Sequence, residues 1–579
     1  MKFVASLSVT ALRAVTLRPA QRRLPWAGSA VRPMVRRQSL VVALPLVAVH
    51  LLAGVFRFWQ LDHVGFNSDE AVYAGTAASI AGDPVRSEIF PIFRAHPVLF
   101  QMLVSLTFHN GVSDWSARAV SALAGILTVT VTYLLGRRLY GHYAGLVAAL
   151  FLAVMPYHVV VTRQVLLDGL MTLAAMVVLY CIVRYVETAS LYWMLAAGAA
   201  MGITVMAKET SLVLLGGLYA FFALTPTVRI RLRHVLLAVG AMGCVVAAIP
   251  IVLASANRTS TGGHYILWQI LRRPNHEMHF YFTVVPWAVG IGVVIAAAIG
   301  LVWLRRQNTW RERLLVSWVT VPVVFFTLWP VKGYQYLLPI APVLAVLAAR
   351  TLVRVPDALR PASPPPAEAS RLNGSSSRLV GGLASRFSGL AARFNGPVSQ
   401  WSELRRKAWF PAVVTATVVA LLATSLAVPT WRQIAPSTSG TFLAGTGGLP
   451  GGREAGLWVR DNVPEGAQLL TIGPSMANVL MFYGGRRAFA LSVSPNPAAR
   501  NPSYVPIENP DRALREGQFQ YIVWDSYTAN RTTFFAEKAM TLVERYHGVP
   551  VYTASVTVDG PSGEPVTTPV IIIYRVGVP

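Results

Sequence analysis

The chain has 579 residues, of which 54% are hydrophobic and 13% are charged. Water-soluble globular proteins carry about 25% charged residues, so this composition excludes an ordinary soluble domain and indicates a membrane protein. The formal charge of +25 does not predict a nucleic acid partner, because the basic residues cluster between apolar segments as they do in membrane proteins.

The N-terminal segment, residues 1–38, is basic and contains no acidic residue. A secretory signal peptide is the competing interpretation, since residues 3–16 are moderately apolar. However, no small-residue cleavage site precedes the basic run, and a full-length hydrophobic segment follows from about Leu40. We therefore expect a cytoplasmic basic arm ahead of a first membrane-spanning helix.

Spanning helices are predicted wherever about 20 apolar residues follow one another. About eleven segments qualify: 40–58, 118–136, 143–161, 167–186, 190–207, 210–226, 235–255, 284–304, 314–331, 334–352 and 409–429. The apolar stretch 97–108 is shorter, and we interpret it as a helix at the outer membrane surface. This choice leaves the dense basic clusters of four loops on one side, as the positive-inside rule requires. The sequence thus predicts a multi-pass plasma-membrane protein with a cytoplasmic N-terminus and an extracytoplasmic C-terminus.

The composition changes after residue 354. Residues 355–408 are rich in Pro, Ser, Ala and Arg and predict a flexible cytoplasmic linker, with a weaker indication of an amphipathic helix at 379–394. The last spanning helix, 409–429, follows. Residues 452–579 alternate helix and strand patterns, which predicts an extracytoplasmic α/β domain. Its predicted helices are 455–461, 477–483 and 533–545, and its predicted strands are 468–472, 520–524 and 570–574.

The most informative motif is the acid pair Asp69-Glu70, which comes shortly after the first predicted span. With a cytoplasmic N-terminus, this pair lies on the outer face, close to lipid. Ionised groups at that depth are costly unless they serve a site. Asp69 is predicted to be a general base that deprotonates an acceptor hydroxyl. Glu70 would point elsewhere on a helix, so we expect it to be structural or to pair with a basic group.

Polar side chains also gather in the other predicted outer loops. Their convergence on one face favours a shared cavity over separate interfacial anchors. Such a cavity suits sugar transfer from a polyprenyl phosphate, because a phosphate leaving group needs positive charge where negative charge develops. The predicted substrate-binding and donor-phosphate-binding residues are Glu70, Arg118, Arg163, Asp168, Lys208, Glu209, Arg272, His279, Lys332 and Tyr334.

No metal site is evident in the sequence. The segment His276-Glu277-Met278-His279 lacks both the H-E-x-x-H spacing and a third ligand. The alternative is a divalent cation held by Asp69 or Asp168 together with a donor phosphate, but the sequence shows no complete ligand set for it. We therefore assign no cofactor.

Several motifs occur together and in order between residues 40 and 350. They are Asn67-Ser68-Asp69-Glu70-Ala71-Val72-Tyr73, His96-Pro97-Val98-Leu99, the segment from Arg118 to Gly141, Arg163-Gln164-Val165-Leu166-Leu167-Asp168, Ala207-Lys208-Glu209-Thr210 and Lys332-Gly333-Tyr334-Gln335-Tyr336-Leu337-Leu338-Pro339. In these motifs the chain resembles the GT-C glycosyltransferases, specifically the bacterial relatives of protein O-mannosyltransferases and the lipid A aminoarabinose transferase. The family usually has proline where this chain has Val98.

The resemblance implies a GT-C-like transmembrane catalytic module over residues 39–354. It also implies a catalytic base at Asp69 and active-site residues at Arg118, Lys208 and Glu209. The implied activity is an inverting transfer of a sugar from a polyprenyl-phosphate donor to an acceptor hydroxyl. Mannose, a pentose and an amino sugar stay open as the sugar, and protein, glycan and lipid stay open as the acceptor.

Two other hypotheses compete with this one. A transporter or lipid-linked sugar flippase would show broken helices with charges near the bilayer midplane and internal symmetry. The polar residues here crowd one interface instead, and no repeat is visible in the sequence. A non-catalytic scaffold that keeps the fold is disfavoured because the acid pair and the basic groups are intact.

Overall fold

The computed structural model describes residues 31–90, 96–255, 268–272, 274–303, 305, 309–359, 410–435, 450–559 and 564–577. The chain divides into a small unit, residues 1–47, of which the start of the first helix is described, and a large unit, residues 48–579. Most of the predicted basic arm, the linker from residue 360 and the predicted amphipathic helix at 379–394 lie outside the described residues.

Helices dominate the described chain up to residue 435. They are α1 (Val31–Phe58), α2 (Ser68–Ile80), α3 (Pro84–Ile89), α4 (Leu99–Ser105), α5 (Asp114–Tyr140), α6 (His142–Val154), α7 (Pro156–Thr162), α8 (Leu167–Thr188), α9 (Leu191–Ala207), α10 (Val213–Ala223), α11 (Leu232–Ser255), α12 (Phe280–Val289), α13 (Ile291–Trp303), α14 (Trp310–Leu328), α15 (Ala341–Leu359) and α16 (Phe410–Ile434). Short 3-10 turns precede α10 and α15. Helical structure is therefore present at every one of the eleven predicted span positions.

Two of the predicted spans are bent pairs of helices. The axes of α6 and α7 differ by 58°, and Pro156 opens α7, where its missing N–H ends the preceding hydrogen-bond ladder. The axes of α12 and α13 differ by 98° at Gly290, whose φ of 97° suits a residue without a Cβ. The apolar stretch 97–108 forms only the short helix α4 and a 3-10 turn, which is too short to cross a bilayer.

The described residues include four helices that are long and apolar enough to cross a membrane, and six such spans if each bent pair counts as one. The four are Asp114–Tyr140, Leu167–Thr188, Tyr334–Arg354 and Pro411–Ile434. Shorter apolar helices accompany them, among them α9 and α10. The chain is thus a helical, polytopic membrane protein.

The C-terminal region forms a five-stranded sheet flanked by helices. Its strands are β1 (Leu469–Thr471), β2 (Ala488–Ala490), β3 (Tyr521–Asp525), β4 (Val549–Asp559) and β5 (Pro565–Arg575). Its helices are α17 (Gly452–Asn462), α18 (Pro474–Gly484), α19 (Pro510–Arg515), α20 (Ser526–Arg531) and α21 (Thr533–Arg545). The strand order is β2-β1-β3-β5-β4, parallel through the first three strands and antiparallel beyond. The parallel strands connected by helices agree with the predicted α/β class, whereas β2 and β4 were not predicted.

Helix α2 joins the two regions. Small residues on α2, including Ala71 and Ala74, are fully buried in one apolar core with α18. Gly75 lies against the buried ring of Phe90, where an added Cβ would come within 2.6 Å of ring carbons. The close packing of these residues fixes α2, and with α2 the acid pair at its N-terminus.

Candidate active site

A cavity of about 750 Å³ opens between α2, the segments that precede α12 and α15, and the C-terminal sheet region. Five described Lys or Arg side chains and one carboxylate line it, which makes the cavity strongly cationic. These charged residues are Asp69, Lys208, Arg272, Lys332, Arg500 and Arg531. A cationic cavity with a single carboxylate suits an anionic substrate and one proton transfer.

Asp69 is held in place by the way α2 begins. Asn67 and Glu70 form a reciprocal capping box, in which Asn67 Oδ1 accepts from the Glu70 N–H at 3.0 Å and Glu70 Oε2 accepts from the Asn67 N–H at 3.1 Å. The cap does not use the Asp69 carboxylate, which lines the cavity. Burial raises the pKa of Asp69 above the ordinary aspartate value, and the positive charges of Lys208 and His96 oppose this effect only in part.

Glu70 and Arg118 form a buried bidentate ion pair, with Nε–Oε1 and Nη2–Oε2 distances of 2.7 and 2.8 Å. The Arg118 guanidinium also donates to the carbonyls of Leu61, Val64 and Gly65. The pairing expected of Glu70 with a basic group is therefore present. Neither side chain is on the wall of the cavity, so the assignment of these two residues to the donor phosphate does not follow from the structure.

Arg163 is likewise committed to the backbone. Its two terminal nitrogens donate to the carbonyls of Phe56, Arg57, Trp59 and Gln60 at 2.8 to 3.4 Å. Arg118 and Arg163 together bind most carbonyls of the connector between α1 and α2. This connector leads into α2, which carries the acid pair, so both arginines stabilise the segment that positions Asp69, and neither guanidinium lines the cavity.

Lys208 and Asp168 form a second buried ion pair beside Asp69. The ammonium nitrogen lies 2.9 and 3.0 Å from the two carboxylate oxygens and 4.4 Å from the centroid of the Tyr336 ring. Lys208 and Tyr336 line the cavity, whereas Asp168 lies behind the lysine. The charge of Lys208 is thus fixed at a defined point of the cavity wall.

His96 and Glu209 form a third pair at the cavity. The His96 Nδ1 atom lies 3.0 Å from both carboxylate oxygens of Glu209. His96 and the neighbouring Tyr73, whose ring centroids are 6.2 Å apart, both line the cavity. Neither residue was among the predicted site residues, although His96 opens the quoted His-Pro motif.

Lys332, Tyr334 and Arg272 complete the predicted residues that line the cavity. The backbone at Lys332 is tied to Asn275, which accepts from the Lys332 N–H at 2.7 Å and donates to its carbonyl at 2.8 Å. Arg272 stacks over Trp268 with a distance of 4.9 Å from its Cζ atom to the ring centroid. His279 differs from these residues: its side chain is exposed outside the cavity lining and lies 3.1 Å from Glu277.

The C-terminal region supplies a wall of the cavity that sequence analysis did not identify. Hydroxyl, amide and guanidinium groups from four separate segments line it: Ser475, Ser492, Ser494, Arg500, Asn501, Tyr504, Tyr527, Thr528, Arg531 and Thr532. These residues carry no motif, and their types are common on any exposed surface. No sequence pattern could therefore have identified them as part of a site.

Tyr483 links the C-terminal region to the connector that precedes α2 and Asp69. Its hydroxyl accepts from the Phe66 N–H at 2.8 Å and donates to Asp114 Oδ2 at 2.6 Å. Arg453 also pairs with Asp114 and donates to the carbonyl of Asp62 at 2.6 Å. The C-terminal region therefore binds the connector through Tyr483 and Arg453, in addition to the contacts from Arg118 and Arg163.

Replacing Tyr483 with phenylalanine is expected to lower the free energy of unfolding by about 1–3 kcal/mol, because a buried N–H then loses its partner. Thermal unfolding in detergent measures this loss. Tyr192→Phe, at a side chain that is 67% exposed, is the matched control and should leave the midpoint unchanged. Equal midpoints for Tyr483→Phe and wild type would show that this hydrogen bond does not hold the connector.

Across the described residues, no three His, Cys, Asp or Glu side chains lie close enough to hold a metal ion. The residues His276 and His279 of the rejected zinc motif do not lie together in such a group. The alternative of a divalent cation held by Asp69 or Asp168 together with a donor phosphate stays open.

Comparisons of sequence and of fold show which known proteins the chain is similar to. Residues 95–253 match the family described as dolichyl-phosphate-mannose-protein mannosyltransferase. The candidate mannosyltransferase YycA of Bacillus subtilis (strain 168) is 32% identical over 103 residues, a segment that covers 18% of this chain and 15% of YycA. The matched segment is thus a small part of that relative's length.

Solved structures match over nearly the whole chain. ArnT from Cupriavidus metallidurans in the apo state has a TM-score of 0.63 and 16% identity, covering 94% of this chain and 99% of ArnT. The same protein bound to undecaprenyl phosphate gives a TM-score of 0.59 and 17% identity, covering 91% and 97%. The archaeal oligosaccharyltransferase AglB from Archaeoglobus fulgidus gives 0.53 and 14%, covering 92% and 74%. The chain thus has the fold of ArnT and AglB, and its residues 95–253 match the mannosyltransferase family.

Proposed function

We propose that the chain transfers a sugar from a polyprenyl-phosphate donor to an acceptor hydroxyl in the 750 Å³ cavity. The observation that carries the proposal is the placement of one carboxylate, Asp69, among the cationic side chains of that cavity. The binding of undecaprenyl phosphate by ArnT and of dolichol phosphate by AglB, which share the fold, supports a lipid-phosphate donor.

In the proposed reaction one bond to the anomeric carbon of the sugar forms and another breaks. Asp69 takes the proton of the acceptor hydroxyl, and the hydroxyl oxygen forms a bond to the anomeric carbon of the sugar. The bond from that carbon to the phosphate oxygen breaks, and its electron pair stays on the departing lipid phosphate. Lys208, Lys332 and Arg272 line the cavity as fixed or tethered positive charges that stabilise this developing negative charge. In-line attack inverts the anomeric configuration.

The predicted membrane topology places the reaction on the outer side of the membrane. Eleven spans, a cytoplasmic N-terminus and an extracytoplasmic C-terminal domain would place the cavity at the outer membrane face, where a donor enters from the lipid. We propose the domain boundaries that were predicted from the sequence. They are a transmembrane catalytic module over 39–354, a cytoplasmic linker over 355–408, a last spanning helix over 409–429 and an extracytoplasmic domain over 452–579. Mannose is the first sugar to test, because the family match and YycA both carry that name.

The experiment that tests the reaction determines the anomeric configuration of the product. Purified protein in lipid vesicles receives a labelled polyprenyl-phosphate sugar and a cell-envelope extract as acceptor. A covalent product with inverted configuration supports the mechanism, and a retained configuration contradicts it. Uptake of the labelled lipid or its sugar across the vesicle membrane without a covalent product would favour the transporter or flippase.

The transfer rate should depend on pH through Asp69. The base acts only when it is ionised, and burial raises its pKa above the ordinary value of 3.8. The rate should therefore fall as the pH decreases through that raised pKa, and rise to a plateau above it. A profile of kcat/KM against pH measures the midpoint. A midpoint at or below 3.8, or a profile that Asp69→Glu leaves unmoved, would contradict the assignment.

A further inference from the structure

A second cavity, of about 240 Å³, adjoins the first. Pro474, Val493 and Tyr504 line both cavities, so the two are neighbours across a shared wall. The rest of the second cavity is formed by the end of α3, one face of α18, strand β2 and the segment 503–505. The residues assigned to the proposed reaction, Asp69, Lys208, Arg272 and Lys332, do not line this second cavity.

Asn478 lies in the lining of the second cavity and is fully buried. Its Nδ2 atom donates to Ser68 Oγ at 3.0 Å and to the Tyr504 hydroxyl at 3.3 Å. Its Oδ1 atom has no partner within the described part of the chain. If the amide is turned around, the other end is left unpaired instead, so one end lacks a partner in either orientation.

The hydroxyl of Ser503, which lines the same cavity, is also buried and has no partner among the described residues. A buried polar atom without a partner is destabilising, and a ligand with hydroxyl groups would supply the missing hydrogen bond. Two such atoms on residues that line one cavity indicate a site for a polar ligand more than a packing defect.

The residues that line the second cavity also indicate the charge and the surface character of the ligand. Glu88 and Arg487 are exposed and have opposite charges, so this cavity lacks the cationic character of its neighbour. Phe489, Met481 and Val505 supply apolar surface beside the unpaired amide and hydroxyl groups. A neutral ring with one apolar face and several hydroxyl groups fits this combination, and a single sugar residue has that character.

We propose that the second cavity is an acceptor subsite for one neutral sugar residue of a glycan, adjacent to the residue that receives the transferred sugar. The proposal rests on the proposed function and narrows its acceptor to a glycan. Asn478 links the two cavities, because the Ser68 hydroxyl that it binds belongs to the residue immediately before Asp69. A sugar that contacts Asn478 therefore lies next to the base.

The test measures the binding of methyl glycosides to the full-length protein in lipid nanodiscs by saturation-transfer difference NMR. The probes are the mono-, di- and trisaccharides of mannose, glucose and arabinose. For at least one series, the disaccharide should bind about tenfold more tightly than the monosaccharide. Val505→Trp fills the cavity from a side chain that is 65% exposed, so it should abolish this gain without unfolding the protein.

Two further variants complete the design. Ser503→Ala keeps the shape of the cavity and should weaken disaccharide binding by between about twofold and tenfold. Val549→Trp, at a 57% exposed valine of β4 outside both linings, is the matched control and should bind as wild type does. Equal binding of mono- and disaccharides in every series, or a gain that Val505→Trp preserves, would overturn the subsite.

Donor turnover, measured separately as release of labelled sugar from its lipid phosphate, keeps the two proposals distinguishable. Length-dependent binding without turnover would remove the proposed reaction and leave a glycan-binding site. Turnover onto a serine- or threonine-containing peptide, with no length-dependent glycoside binding, would support the reaction and overturn the glycan subsite.

Discussion

Replacing Asp69 with asparagine is expected to lower the rate of sugar transfer by roughly 10²–10⁴-fold, because an amide cannot accept the proton of the acceptor hydroxyl. The protein should stay folded. The capping box that starts α2 uses the side chains of Asn67 and Glu70 and leaves Asp69 out, so the helix begins as before. The thermal midpoint should therefore stay close to that of wild type.

Asp62→Asn is the matched control for this variant. Asp62 is an exposed carboxylate of the same connector, and it is the Asp62 carbonyl, not the side chain, that accepts from Arg453. Its replacement should leave the transfer rate within about a factor of two of wild type, as exposed substitutions usually do. A folded Asp69→Asn protein that transfers sugar at the wild-type rate would remove Asp69 as the base.

Replacing Arg118 with methionine is expected to lower the free energy of unfolding by about 3–5 kcal/mol, because Glu70 then remains buried and charged without a partner. The variant also releases the carbonyls of Leu61, Val64 and Gly65. The double variant Glu70→Gln, Arg118→Met should regain part of the loss, since it removes the unpaired charge. Thermal unfolding in detergent measures all three proteins.

A surface ion pair of the same chain supplies the control. Arg138 and Glu187 are paired at 2.7 Å, but the arginine side chain is 42% exposed. Arg138→Met should cost about 0–1 kcal/mol. An Arg118→Met protein that is as stable as the Arg138→Met protein, yet no longer binds undecaprenyl phosphate, would show that Arg118 serves the donor and not the connector.

The helical part of the fold could be predicted from the sequence because its pattern is strong. Long apolar segments have few alternatives in a lipid bilayer, and helices lie at all the predicted span positions. The short strand β2 and the edge strand β4 were missed for physical reasons. Two of the three residues of β2 are alanines, which are depleted in strands. Strand β4 contains Pro550, and it forms by pairing with β5, a distant contact that no local sequence pattern reveals.

The candidate site could be predicted only in part. Asp69, Lys208, Arg272, Lys332 and Tyr334 line one cavity, and Asp168 and Glu209 pair with residues on its wall. Arg118 and Arg163 were predicted to bind the donor phosphate, but their guanidinium groups bind backbone carbonyls instead. Sequence alone does not distinguish these two uses of a buried arginine. The wall from the C-terminal region depends on how distant segments pack, so no local pattern could identify it.

The most direct measurement of the central claim follows radiolabelled polyprenyl-phosphate sugars on purified protein in lipid nanodiscs. Mannosyl, glucosyl and arabinosyl donors are each incubated with a cell-envelope extract as acceptor. We predict that one donor loses its label to an acceptor on the wild-type protein and keeps it on Asp69→Asn. If every donor keeps its label on the wild-type protein, or if both proteins release it equally, then the cavity around Asp69 does not catalyse sugar transfer.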